Sequence, residues 1–334
     1  MPRTDLSPRP DPDAWLGPPQ SAELKDDHAV DLRGDSLVGR RVALLICGGI
    51  AAFKAPLTVR ALRRQGAEVT CFASPQALRY VTADTLEWAS LRPIVTQLSA
   101  QAEHLSGSGG FDAYLVAPAT YNTLNKMAMG IADTVLTATL ASALGRMQRG
   151  TSATLVAPTM HGTMHNTILV ESLQRLRALG VRVIPPRDAY GKDNIPEEAV
   201  LVAEVAAALP DAPLRARRVI VLGDAGGHGQ RIAVDLIHRG AQVLHLNLPS
   251  KEPPSPVSAP VIVVDRAELS KRLTEARQER DWHLVIDASG SGLGDVDVTS
   301  QGDISVTAGG KTTVFSSVDA ALRDLRLTVA HGRR

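Results

Sequence analysis

Apolar runs of strand length recur along this chain, each followed by a small-residue turn and then a stretch with apolar positions at helical spacing. The first is Val42 to Cys47, closed by Gly48 and Gly49. Ile50 to Gln65 follows as a predicted helix, with Ala, Leu and Val on one face and Arg60, Arg63 and Arg64 on another. Gly66 ends it and Ala67 to Ala73 is the next run, so the segment predicts a βαβ unit with parallel strands. Residues 78 to 100 predict a helix ending in a Pro-containing turn. Tyr114 to Ala117 is a buried run that Pro118 is expected to stop, before a polar turn carrying Thr120, Asn122 and Thr123 and a further helix. Ser152 to Ala157, Leu169 to Leu179, Val181 to Ile184 and a helix from about Glu197 to Leu209 continue the alternation.

The pattern then restarts. Val219 to Leu222 predicts a strand, a glycine turn and a helix to Arg239 follow, and Gln242 to Leu246 is the next strand. His283 to Asp287 ends in another glycine turn, and the tail from Asp303 to Val329 alternates weakly before a final helix. Strands alternating with helices predict the α/β class: a Rossmann-like or flavodoxin-like parallel-sheet domain over residues 39–209, a linker at 210–217, and a second, smaller Rossmann-like domain over 218–330. Residues 1–38, with frequent Pro and alternating charge, predict a flexible arm in which Trp15 and Leu16 offer docking groups.

Charge narrows the partners. With 36 basic and 35 acidic residues the net charge is +1, so no global field favours nucleic acid or an anionic membrane, and any phosphate must be held locally. The start lacks the apolar core of a signal peptide and no apolar run has the ~20 residues of a membrane helix, so a cytoplasmic protein is expected. The nine histidines are scattered; His161 and His165 have neither a carboxylate nor a third ligand beside them, so no metal site is expected. Cys47 and Cys71 sit in strand-like runs, without the pattern of a disulfide framework.

Candidate chemistry lies in the turns after the strands, the edge at which α/β proteins bind phosphorylated cofactors. Gly48 and Gly49, then Ser74 at the end of the second strand, then Thr120, Asn122 and Thr123 fall there. The sequence GGIAA is not the GxGxxG dinucleotide fingerprint. His104 precedes a Gly- and Ser-rich break, and Met160 and Met164 flank His161 in the turn after another strand. Gly223, Gly227 and Gly229 follow a strand and open a helix, the context in which such glycines contact a nucleotide.

Three segments carry a family resemblance: ICGGIAAFK at 46–54, APATYNTLNKMAMGIAD at 117–133 and PTMHGTMHN at 158–166. In order and spacing they resemble the signatures of the homo-oligomeric FMN-containing cysteine decarboxylases, nearest the phosphopantothenoylcysteine decarboxylase of coenzyme A synthesis. The second half resembles, more loosely and in shortened form, the phosphopantothenate-cysteine ligase fused to that enzyme, with only Lys311 as a candidate for its phosphate-binding lysines.

The resemblance implies FMN between protomers of a trimer or a multiple of trimers, its phosphate near Gly48, Gly49, Ile50 and Ser74, with Thr120, Tyr121, Asn122 and Thr123 along the ring and ribityl chain. It implies His104 as the catalytic imidazole, and a phosphorylated cysteine conjugate bound through Met160, His161 and Met164 and decarboxylated after oxidation of its thiol to a thioaldehyde. His161 stands where the family usually has an Asn that grips the substrate carboxylate. Ala189-Tyr190-Gly191 stands where many members carry a proton-donating Cys, which leaves Tyr190 and Lys192, with Asp193 beside them, as candidate acids. The alternatives are oxidative decarboxylation of a peptide C-terminal cysteine and a non-catalytic flavin-binding subunit. For the second half, the expectation is a nucleotide site at most, without ligation.

Overall fold

The computed structural model describes residues 29–315 apart from 106–109, 190–191, 224–226, 250–252, 259–260, 264, 299–303 and 309–310. Two sheets organise it. The first has five parallel strands, β1 (Arg41–Ile46), β2 (Glu68–Ala73), β3 (Ala113–Ala119), β4 (Ala153–Pro158) and β5 (Arg182–Val183), in the order β2-β1-β3-β4-β5. Their near-continuous burial, complete along β3 and β4, follows from helices on both faces. On one face α1 (Ala55–Arg63), α2 (Ala83–Ser90) and α6 (Glu198–Ala208) bury Val59, Leu62, Leu86, Leu201 and Val205 against Leu44, Leu115 and Leu155. On the other, α3 (Tyr121–Met129), α4 (Val135–Gln148) and α5 (Thr167–Ala178) bury Leu124, Leu136, Leu140 and Leu176 against Leu45, Val116 and Val156. A hairpin, β6 (Arg187–Ala189) and β7 (Lys192–Asn194), separates β5 from α6.

Several elements differ from the sequence reading. A 3-10 turn, Ile50–Lys54, precedes α1, and α2 occupies only part of 78–100. Strand β3 runs through Pro118 to Ala119 with a register shift after Val116, an irregularity that accommodates a residue unable to donate to the ladder. Residues 33–38, assigned to a flexible arm, instead pack on the end of α1: Leu37 is fully buried, Arg33 N donates to Arg64 O at 2.8 Å and Leu37 N to Gln65 O at 2.9 Å. Trp15 and Leu16 lie outside the described residues.

The second sheet contains β8 (Arg218–Gly223), β9 (Gln242–Asn247), β10 (Val261–Ile262), β11 (Leu284–Asp287), β12 (Val296–Val298), β13 (Ile304–Ala308) and β14 (Lys311–Phe315), ordered β10-β9-β8-β11-β12-β13-β14. Its strands are parallel through β12, and β13 and β14 add an antiparallel edge. Helices α7 (His228–His238) and α8 (Arg266–Glu279) cover its faces, with Leu236 against Val221 on one and Leu269 against Leu222 on the other. Lys311 opens β14, and the helix expected at the end of the chain lies outside the described residues. Among the described residues, no helix is long and apolar enough to cross a membrane.

Candidate functional site

In the first sheet the strand order reverses between β1 and β3, which parts the loops at their carboxyl ends. A cavity of about 680 Å³ opens there, walled by the turns after β1, β2, β3 and β4. Gly48, Gly49, Ile50, Ser74, Thr120, Tyr121, Asn122 and Thr123 all line it, as do Met160 and Met164.

The two glycines after β1 have different reasons to be glycine. A Cβ on Gly48 would come within 2.2 Å of Gln76 Cβ and 3.1 Å of its backbone, so the turns after β1 and β2 touch directly. A Cβ on Gly49 would meet only Thr120 Cγ2, at 3.4 Å, and its φ of −129° suits any residue; what its glycine provides is bare backbone at the cavity wall. Ser74 Oγ accepts from Ala77 N at 3.1 Å and so fixes the facing turn.

Helix α3 enters the cavity by its amino end without a side-chain cap. Thr120 has N-cap geometry, yet its hydroxyl donates to Thr123 Oγ1 at 3.3 Å instead of accepting from the first turn. Side chains of Thr82, Thr134 and Asn166 cap α2, α4 and α5. The first-turn amides of α3 and the positive end of its dipole are therefore available to an anion or a carbonyl. Tyr121 Oη donates to Asn166 Oδ1 at 3.3 Å, tying this end of α3 to the cap of α5.

The cavity also takes residues that the sequence reading missed. Lys126 lines it with its Nζ 2.5 Å from Asp133 Oδ2, and that hydrogen bond holds the Asp133 carboxyl below the usual range. Thr134 and Thr137 line it as a reciprocal capping box that starts α4. The available signals were Lys126 one helical turn beyond Asn122 and the paired threonines at cap spacing.

Other expected residues stand apart. His161 does not line the cavity; it is exposed and its Nδ1 accepts from Thr163 N at 3.3 Å, capping the 3-10 turn Gly162–Met164. His104 lies in the 3-10 turn Glu103–Leu105, packed on α4 and likewise off the lining, with Nδ1 buried and without a hydrogen-bond partner. Lys192 opens β7 opposite Ala189, at a hairpin whose base is held by Arg187 and Glu197 at 3.8 Å; Tyr190 lies outside the described residues. Cys47 and Cys71 are buried free thiols, and among the described residues no cluster of three or more metal-ligating side chains occurs.

In the second half, packing accounts for the glycine motif. A Cβ on Gly229 would lie 2.4 Å from Gly223 Cα, so α7 approaches β8 too closely for a side chain there, and a Cβ on Gly223 would lie 1.9 Å from the Asn247 Oδ1 of neighbouring β9. Gly227 is the left-handed N-cap of α7, with φ 76°. At the end of β11, Asp287 is fully buried and accepts from Ser289 N at 2.8 Å, Ser291 Oγ at 2.9 Å and Leu293 N at 3.2 Å. Burial works to raise its carboxyl, but these bonds outweigh burial and hold it below the usual range.

Residues 33–210 match the flavoprotein family model. The chain is 30 % identical over 294 residues to the coenzyme A biosynthesis bifunctional protein CoaBC of Thermococcus kodakarensis, covering 82 % of this chain and 71 % of that protein. It is 33 % identical over 156 residues to the protein of the same name from Borreliella burgdorferi, covering 45 % of this chain and 38 % of that one. Among solved structures, the FMN-dependent cysteine decarboxylase SpaF matches with 25 % identity and a TM-score of 0.46, over 52 % of this chain and 97 % of SpaF.

Proposed function

The chain belongs to the flavoprotein family, and from that premise we propose that it decarboxylates 4'-phosphopantothenoylcysteine to 4'-phosphopantetheine with FMN, as a step of coenzyme A synthesis. The observation that carries the proposal is the cavity at the β1/β3 switch point. Its donor set suits a phosphorylated flavin: unclaimed helix amides, bare backbone at Gly49 and a row of hydroxyls, with no bulky cation needed.

In this reading Gly49, Ile50 and Ser74 hold the cofactor phosphate, and Thr120 to Thr123 lie along the rest of it. Bound there, FMN supplies reversible two-electron oxidation of the substrate thiol carbon. Met160 and Met164 give the cavity an apolar wall for the substrate and keep water from the reacting sulfur. His104 is assigned the thiol proton, since an imidazole nitrogen can take up a proton and its buried Nδ1 lacks a partner. Lys192 and Tyr190 are the residues assigned to return the proton.

His104 and the cavity come together in this reading through self-association. Ile50 and Met164 line the cavity and are exposed, Ile50 to 70 %, and Phe53, Met129 and Ile131 on neighbouring elements are exposed too, apolar surface that a second copy would bury. A trimer or multiple of trimers is the proposed assembly. For the second half we propose no ligation, because its glycines are consumed by packing; a bound nucleotide remains the finer reading for Gly227.

The test is incubation of the purified protein with phosphopantothenoylcysteine, following CO2 and the product mass. Yellow protein that releases CO2 from this substrate supports the proposal. Yellow protein that releases none from any cysteine conjugate would make the chain a flavin-binding subunit instead.

A further inference from the structure

Strand β1 leads directly into a buried thiol. Cys47 is 1 % exposed, and its Sγ donates to Thr123 Oγ1 at 3.2 Å. Thr120 Oγ1 donates to the same oxygen at 3.3 Å. The backbone of Cys47 is pinned on both sides: its N donates to Pro118 O at 3.4 Å and its O accepts from Gly49 N at 2.9 Å. These bonds fix the Cα–Cβ direction of Cys47 at the end of β1, and the hydrogen bond to Thr123 holds the sulfur there.

A hydroxyl has two acceptor lone pairs and one proton. Both lone pairs of Thr123 are occupied, by Cys47 and by Thr120. A helical threonine ordinarily gives its proton to the carbonyl four residues back, as Thr139 does to Val135 O at 2.7 Å. Among the described residues, Thr123 makes no such bond, and Thr123 lines the cavity. Thr120 gives its proton to Thr123, and its hydroxyl and backbone also lie against the Cys47 sulfur, so towards the cavity it offers lone pairs.

We infer that Thr123 meets the cofactor as a hydrogen-bond donor and Thr120 as an acceptor, and that Cys47 is the positioning residue that sets this polarity from beneath the cavity. This inference rests on FMN occupying the cavity. Thr123 then faces an oxygen of the cofactor, and Thr120 a hydroxyl or ring N–H. Burial raises the Cys47 thiol, which keeps the sulfur protonated; a thiolate in its place would accept from Thr123 and reverse the direction.

The experiment compares wild type with Cys47→Ala, Cys47→Ser, Thr123→Val and the Cys47→Ala/Thr123→Val double variant, all as full-length holoprotein. FMN dissociation is read by fluorescence and the flavin environment by its visible spectrum. Cys47→Ala and Thr123→Val are each expected to weaken FMN binding roughly five-fold, the size of one ordinary hydrogen bond, with the same spectral shift. Cys47→Ser should restore both, and the double variant should be no weaker than Thr123→Val alone. Wild-type affinity and spectrum in Cys47→Ala, or losses that multiply in the double variant, would overturn the inference. If Cys47→Ala folds poorly, Cys47→Val, which lacks a donor but fills the site, serves the same comparison. Wild-type protein that retains no FMN would instead overturn the reading of the site itself.

Discussion

The ammonium of Lys126 lies 2.5 Å from Asp133 Oδ2, joining the last turn of α3 to the start of α4 across the cavity rim. Thr137 Oγ1 donates to the other carboxylate oxygen at 3.2 Å. The ion pair thus sets the elbow between two helices that both wall the cavity.

Asp133→Asn is expected to loosen that elbow and weaken FMN retention while leaving the strands intact. The pH dependence has a definite sign. The Lys126 hydrogen bond lowers the Asp133 carboxyl, so its contribution is present above the ordinary carboxylate range and is lost as pH falls through the lowered value. Urea melts of wild type and variant should differ near neutrality and converge in acid. A gap that stays constant down to strongly acid pH would remove the pair from this role.

His104→Asn should leave the protein yellow and stop turnover, since the change removes the imidazole assigned the thiol proton with little loss of volume. The residue lies off the cavity lining, so its flavin content should match that of wild type. A variant turning over near the wild-type rate would take His104 out of the mechanism.

Much of this arrangement is legible in the sequence because buried parallel strands read as continuous apolar runs, and the turns that follow them carry the small and polar residues of the site. The glycines after β1 and the Thr120–Thr123 turn are visible for that reason. Thr134 and Thr137 are not, because they reach the cavity only through the reversal at Gly130, whose φ of 72° turns the chain between α3 and α4, whereas Lys126 sits on α3 itself, one turn beyond Asn122. Leu37 is hidden differently: the pair Leu37-Val38 in a polar stretch is too short to carry periodicity, although Leu37 enters the core. At Gly223 and Gly229 the pattern is genuine but its cause is helix-to-strand contact, which spacing alone does not separate from ligand contact.

Gly229→Ala follows from that contact. Its Cβ would stand 2.4 Å from Gly223 Cα, backbone against backbone, so α7 must lift from β8 at a cost of about 1–3 kcal/mol. The loss should appear in the unfolding of the second half, with FMN content unchanged. An unaltered melting profile would mean that α7 is not seated as closely as its glycines permit.

His245, on β9 beside Gly223, gives the second half its own acid sensitivity. Burial pushes its imidazole down to about 4, although the Asn247 side chain works to raise it. Being lowered in the folded state, it costs nothing above the unfolded value near 6.5, and stability falls as pH drops from there towards 4. At about 1.4 kcal/mol per pH unit the loss is at most roughly 3 kcal/mol. Chemical denaturation of His245→Gln should lack this slope, and a variant that keeps the wild-type slope would assign it to another group.

The identity of the released product decides between the two decarboxylation chemistries. In the redox-neutral reaction the enethiolate must be protonated on carbon as electrons return from the cofactor, so an acid must stand near that atom. In the sequence Tyr190 and Lys192 follow β6, at the position where the family resemblance implies a thiol in many members. An unperturbed phenol near 10 and an unperturbed ammonium near 10.4 are both weaker acids than a thiol near 8.5, so ordinary acidity does not choose between Tyr190 and Lys192, and position must. We expect completion, because the second half follows the first as in the bifunctional relatives that bear the coenzyme A synthesis name. Under anaerobic single turnover, the expected outcome is a saturated thiol and a flavin that returns to yellow. An enethiol lighter by two hydrogens, left beside bleached flavin, would instead assign the chain to oxidative decarboxylation of a cysteine conjugate such as a peptide C-terminus. Lys192→Met separates the donors: it should convert a saturated product into the enethiol if the ammonium gives the proton, and leave the product mass unchanged if it does not.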